Sequence, residues 1–413
     1  MSGHRPRGRL RHTAAALSPT AGTAARVAFE RDAQLRLRRL SAAAADRLGQ
    51  SVRPTRRRMR ALVASPRGRL SWRDVPAPSR PGPDGALVHP IAAATCDLDR
   101  ALALGATPFL LPLHFGHECV ADVLSVGERV SSVTPGQRVV VPFQISCGAC
   151  GPCTAGHTAN CLAVPPLSMY GFGVGGGHWG GAFSDELAVP FADGMLVALP
   201  EGIDPVTVAS VADNVSDAYR HIGPYLPELL DRDPATEVLI VVSQHRSSPF
   251  SASVPLYTGL IARALGARHV QIADARPFVR AHAERLGLTA LTPAELRRSP
   301  PAALTVDASA TPRGLRAALA ATAPDGICTS LGSLHRSTRI PTALLYGRNA
   351  TYHVGRTHAR AVIPHVLELI TDGRLHPEQV TTRLAPFDDG PSVLTEHIRG
   401  DGIKTILFDP EAR

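Results

Sequence analysis

Hydrophobic positions along the chain change their period once. From 59 to 205 the apolar residues come in short runs cut by Gly and Pro, at 86–90, 118–124, 138–142 and 195–200. Closely spaced turns between such runs predict a β-barrel-like domain. From 205 onward the runs lengthen and alternate with helical spacing. Residues 205–222 predict one helix, and 237–242 is the continuous apolar run of a strand buried on both faces. Strands at 269–273, 304–307 and 327–331 then alternate with helices at 256–265, 276–286 and 315–321. This alternation predicts an α/β fold with a doubly wound parallel sheet. A last helix at 359–371 and a short β-rich tail follow.

Composition narrows the class. A chain of 413 residues with 44% hydrophobic content is long enough for two or three domains and too apolar to be disordered throughout. No apolar run reaches the roughly 18 residues a membrane helix needs, so no membrane partner is expected. The formal net charge of +9 invites a nucleic-acid reading. The surplus is local, however. Residues 1–58 hold 14 arginines against three acids, and the rest holds 30 basic residues against 32 acidic ones. No nucleic-acid partner is expected of so balanced a body. Residues 1–58 read as an Arg-rich, disordered extension whose one patterned stretch is an amphipathic helix over 24–48. The extension lacks the apolar core of a secretory signal, and a cytoplasmic location is expected. Met59 opens the apolar pattern and is the expected native initiator. Lys404 is the single lysine among 44 basic residues, which reads as coding bias.

Seven cysteines are too few for a disulfide scaffold, and four of them are clustered. Cys147, Cys150, Cys153 and Cys161 sit on a loop with Gly148, Gly151 and Pro152. Four thiolates at this spacing can close tetrahedrally on one Zn²⁺. A bacterial ferredoxin run ends in a three-residue gap and Cys-Pro; here the gap is seven and Leu162 follows. With all four positions filled by Cys, the expected role is structural.

Cys96, His117 and Glu118 lie upstream, and each alone is a weak signal. Together with Gly116-His117-Glu118, Val126-Gly127-x2-Val130, Pro135-Gly136-Gln137-Arg138-Val139, the cysteine loop and Gly181-Ala182-Phe183-Ser184-Asp185-Glu186, the chain resembles the zinc-containing medium-chain alcohol dehydrogenase family over most of 59–413. The resemblance implies a GroES-like β-barrel catalytic domain over 59–205 and 349–413, and a Rossmann-type dinucleotide-binding domain over 206–348. It implies two zinc ions per chain. Cys96 and His117 would be the first ligands of a catalytic zinc and Asp213 the third, with Asp217 as its competitor one turn on. Glu118 would be a transient fourth ligand and Asp99 a support behind the site. A Cys/His/Asp set leaves one position open for a small-molecule alcohol or carbonyl substrate. The implied activity is hydride transfer between that substrate and a nicotinamide cofactor, in a dimer or tetramer of identical chains. The family's hydroxyl relay residue is replaced by Leu98, leaving Asp97 or His114 as candidate relays. Trp179, Tyr170 and Phe115 are expected near the substrate.

The nucleotide half is less regular. Gly171-Phe-Gly173-Val-Gly175-Gly176 is a literal G-x-G-x-x-G, yet no strand precedes it and no long helix follows, so it reads as a barrel-domain loop. The place for phosphate-binding glycines is after 237–242, and there residues 243–253 contain none. Ser247, Ser248 or Arg246 would have to bind phosphate by side chains, with Ser253 as helix cap. Asp274 ends the second strand, where an acid binds the ribose and favours NAD over NADP, while Arg276 keeps NADP open. The alternative reading is a cofactor-impaired homologue acting as a zinc-stabilised binding protein.

Overall fold

A computed structural model describes residues 57–107, 109–332 and 338–412. The helix expected over 24–48 and all but the last two residues of the Arg-rich extension lie outside the described residues.

The barrel half is built on Ala86–Ala94. That strand is the third of a sheet ordered Arg383–Pro386, Thr405–Phe408, Ala86–Ala94, Glu118–Val126, Arg138–Val141 and Val197–Ala198, with Leu187–Val189 also paired to it. A three-stranded sheet of Arg69–Pro76, Arg58–Ser65 and Leu113–His114 shares its core, where Leu62, Leu70, Val88, Val123 and Phe183 pack together. The tail is not only β: Gly390–Arg399 is a helix between its two strands. Its buried residues Val393, Leu394, His397 and Ile398 form one apolar face, too short a pattern to stand out in the sequence.

The second half is a six-stranded parallel sheet ordered Thr289–Leu291, His269–Ala273, Glu237–Val241, Ala302–Asp307, Thr322–Ser330 and Thr351–Val354. Counted from Glu237–Val241, this is the 3-2-1-4-5-6 order of the Rossmann fold. Val238, Leu239, Ile240 and Val241 are all fully buried, as a strand covered on both faces requires. The last strand falls just past the expected boundary at 348. A shared core joins the halves: Ile91, Val120 and Val140 of the barrel sheet pack in one cluster with Val211, Val215, Val238 and Ile261.

The single helix expected over 205–222 is broken. Pro205–Val208 is capped by Asp204, a 3₁₀ turn covers Ala209–Ala212, and a new helix runs over Asn214–Ile222. The break falls on Asp213, whose φ of −145° is not helical. Its carboxylate does not cap the new helix and is spent elsewhere.

Candidate metal centre and cofactor cleft

Cys96 follows the strand Ala86–Ala94, His117 and Glu118 sit at the start of Glu118–Val126, and Asp213 sits at the helix break. One ligand atom from each of the four lies within 4.8 Å of the other three, and all four residues are buried. Cys96 Sγ is 3.4 Å from Asp213 Oδ2, and His117 Nε2 is 3.3 Å from the same oxygen. Neither ring nitrogen of His117 has a hydrogen-bond partner, although the side chain is 1% exposed. An orphaned buried imidazole is costly. Burial pushes the Cys96 thiol well up, and Asp213, Glu118 and Asp99 push it further. A divalent cation relieves both faults, so this donor set fits zinc.

Asp99 accepts the backbone N–H of Cys96 at 2.8 Å and faces His117 Nδ1 at 4.0 Å. Asn214 donates Nδ2 to Cys96 Sγ at 3.2 Å and to Asp213 Oδ2 at 3.0 Å. Its oxygen accepts from Lys404 Nζ at 2.9 Å. Lys404 also donates to Glu118 Oε2 and to the carbonyl of Thr95. Sequence reading missed both Asn214 and Lys404. For Lys404 the signal was present: one lysine in an arginine-rich chain marks a position that a guanidinium does not fill. Asp217, the competitor for the metal, instead pairs with Arg220 at 2.5 Å.

Glycines pack the histidine into place. A Cβ on Gly171, at φ +76°, would lie 2.5 Å from the Gly116 carbonyl and 3.1 Å from His117 Nδ1. The G-x-G-x-x-G stretch therefore packs against the His117 loop, and its helix is only Gly173–Gly176.

The four loop cysteines form a second cluster within 4.8 Å. Cys161 Sγ accepts from Cys147 N at 3.3 Å, Cys147 Sγ from Cys150 N at 3.4 Å, and Cys150 Sγ from Leu162 N at 3.4 Å. Burial opposes ionisation of Cys150, but the N–H groups of Leu162 and Cys153 outweigh it and lower the thiol to about 7. Backbone N–H groups turned on sulfur stabilise thiolates. A structural zinc fits here as well.

A cleft of roughly 310 Å³ opens beside Cys96 and Asp213. Leu98, Phe109, Phe143, Met169 and Phe172 make its wall apolar, with the Asp217–Arg220 pair also lining it. Of the expected aromatics, Phe115 instead stacks on Phe183 at 5.9 Å in the core, and buried Tyr170 donates its hydroxyl to the Ala188 carbonyl. Trp179 does not line the cleft either. His114 lies in a separate pocket with His178; Asp97 lines the cleft beside Cys96, but its carboxylate is committed to Ser253 and Val254, so neither candidate relay faces the cluster as a free group.

The residues at the place where this fold seats a dinucleotide fit one poorly. Ser253 is not the helix cap; it is the first residue of the helix Ser253–Ala264, and the cap comes from Asp97. Ser247 is exposed and Asp274 is fully buried beneath Arg276.

Residues 82–201 match the alcohol dehydrogenase GroES-like domain. A probable zinc-binding alcohol dehydrogenase of Mycobacterium tuberculosis is 34% identical over 161 residues, covering 39% of this chain and 40% of the relative. A geraniol dehydrogenase of Castellaniella defragrans is 28% identical over 348 residues, covering 80% and 92%. The solved alcohol dehydrogenase of Thermus sp. ATN1 superposes with a TM-score of 0.74 at 27% identity, covering 85% of this chain and 100% of that one. The chain is thus similar to zinc-binding alcohol dehydrogenases, by sequence in its GroES-like domain and by fold over most of its length. The match spans about half the length, or less, of the first curated relatives. Among the described residues no helix is long and apolar enough to cross a membrane.

Proposed function

We propose that the chain is a zinc-dependent oxidoreductase acting on an apolar alcohol or its aldehyde or ketone, with a nicotinamide dinucleotide as hydride partner, NAD in preference to NADP. The observation that carries this reading is the buried Cys96, His117 and Asp213 donor set opening on an apolar cleft. Cys96, His117 and Asp213 would hold one zinc, and Cys147, Cys150, Cys153 and Cys161 a second. Bound at the first site, zinc supplies Lewis acidity to an alcohol or carbonyl oxygen.

The chain's own residues do the rest. Asp99 would orient the Cys96 loop and His117 from behind. Asn214 would fix both Cys96 and Asp213. Lys404 would hold Glu118 away from the metal as a reserve ligand. Phe143 and Phe172, ring centroids 5.8 and 4.8 Å from that of His117, would exclude water and seat an apolar substrate. Leu98 carries no proton, so exchange with solvent would pass along the cleft. A cytoplasmic dimer or tetramer is part of the same reading, by likeness to the family.

Metal analysis together with alcohol-dependent turnover tests the proposal. Two zinc ions per chain and oxidation of apolar primary or secondary alcohols are expected. A single zinc that resides in the cysteine loop would defeat it.

A further inference from the structure

The candidate relay Asp97 and the end of the glycine-free loop at 243–253 meet at one point. Asp97 Oδ1 accepts the backbone N–H of Ser253 at 2.8 Å, and Oδ2 accepts that of Val254 at 3.0 Å. The Ser253 hydroxyl lies 2.6 Å from Oδ1 and 2.8 Å from Asn214 Oδ1. Ser253 and Val254 open the twelve-residue helix that follows the first strand of the Rossmann sheet. In this fold that helix end, with its free N–H groups and positive dipole, is the seat of a dinucleotide's pyrophosphate. The chain's own carboxylate sits in it.

The ribose end is filled in the complementary sense. Asp274 ends the second strand, where an acid ordinarily accepts from ribose hydroxyls. Here Arg276 Nε donates to Oδ1 at 3.0 Å and Nη2 to Oδ2 at 2.7 Å, while Arg276 N donates to Oδ1 at 2.7 Å. Arg276 is 4% exposed and Asp274 not at all. Arg276 Nη1 also donates to the Phe250 carbonyl at 2.8 Å, and Ser251 N donates to the Asp97 carbonyl at 3.2 Å. The long loop is thereby stitched to both ends of the seat.

We propose that Asp97 and Arg276 are internal surrogates for the phosphate and ribose of a dinucleotide, so that a nicotinamide dinucleotide enters the cleft only by displacing both. The proposal deepens the oxidoreductase reading, since it takes the same dinucleotide as the ligand whose entry is restricted. A tethered carboxylate competes at high effective concentration, and the apparent affinity falls by the fraction of chains in which the seat is open.

Calorimetric titration of NADH into the zinc-loaded full chain tests this. The unaltered protein is expected to bind only in the millimolar range. Asp97→Ala and Arg276→Ala should each tighten binding by about tenfold or more, and Asp97→Asn by less, because it keeps an accepting oxygen without the charge. Micromolar binding by the unaltered protein overturns the proposal, as does a folded Arg276→Ala or Asp97→Ala protein that binds no better. Should Asp97→Ala not fold, the unaltered protein and Arg276→Ala still decide. Tighter NADH binding without any alcohol turnover would uphold the surrogate and defeat the oxidoreductase reading instead.

Discussion

Lys404 Nζ lies 2.9 Å from Glu118 Oε2, and neither side chain is exposed to solvent. Burial works against the ammonium charge, but Glu118 overrides it and raises Lys404 above its ordinary value. Removing one partner of such a pair strands the other charge, at a cost of about 3–5 kcal/mol. Lys404→Met should therefore lose that much stability in urea unfolding. Lys404→Met combined with Glu118→Met should recover most of it. A single variant as stable as the parent would show that the pair contributes nothing.

Asp213→Ala should lower zinc from two ions to one and abolish turnover, with the far-UV dichroism unchanged. Asp217→Ala should keep both ions, since its carboxylate is committed to Arg220. The reverse outcome would transfer the ligand role to Asp217.

Cys147→Ser should lose the other zinc. It should also destabilise the fold, because a structural ion's binding energy is folding energy. A loss of about 3 kcal/mol corresponds to a melting point lower by roughly 6–12 °C in a domain of this size. Unchanged melting after metal loss would make the loop ion dispensable.

His397 sets a pH dependence. Burial, helped by Lys404 and Arg100, lowers its imidazole to about 4. In an unfolded chain histidine titrates near ~6.5. Between those values the unfolded chain holds the proton and the folded one does not. The stability that His397 contributes is thus full above ~6.5 and falls as the pH drops towards 4, by about 3 kcal/mol for this group. His397→Gln should flatten that part of the curve in urea midpoints taken between pH 7.5 and 5. Parallel curves would assign the acid sensitivity to other groups.

Phe172 faces both the cleft and His117. Phe172→Ala should reduce kcat/KM for aromatic alcohols by about tenfold, and for ethanol far less, because only the former lose the apolar contact. Equal losses for both would mean that the ring positions His117 and does not touch substrate.

Both halves of the fold were legible in the sequence because their strands announce themselves. Runs cut by Gly and Pro gave the barrel, and Glu237–Val241 with its successors gave the parallel sheet. The cysteine loop and the Cys96/His117/Asp213 set were legible as clusters of donor groups, the first from its spacing and the second from the family resemblance. What stayed hidden depends on distance along the chain. Lys404 meets Glu118 across 286 residues and Asp97 meets Ser253 across 156, and no local pattern carries such pairings. The helix break at Asp213 was hidden for another reason. The apolar positions of 205–222 keep a helical spacing across the break, while the local signal for it, Asp213-Asn214, is two residues of low helix propensity that also occur within helices.

That break places one carboxylate on the seam between the two halves of the molecule. Cys96 and His117 belong to the barrel, while Asp213 leads directly into the helix that packs on the Rossmann side. An ion held by all three is a rivet through the joint. Stripping the metal would then do more than empty a site: it would leave the two halves held at that point by packing alone.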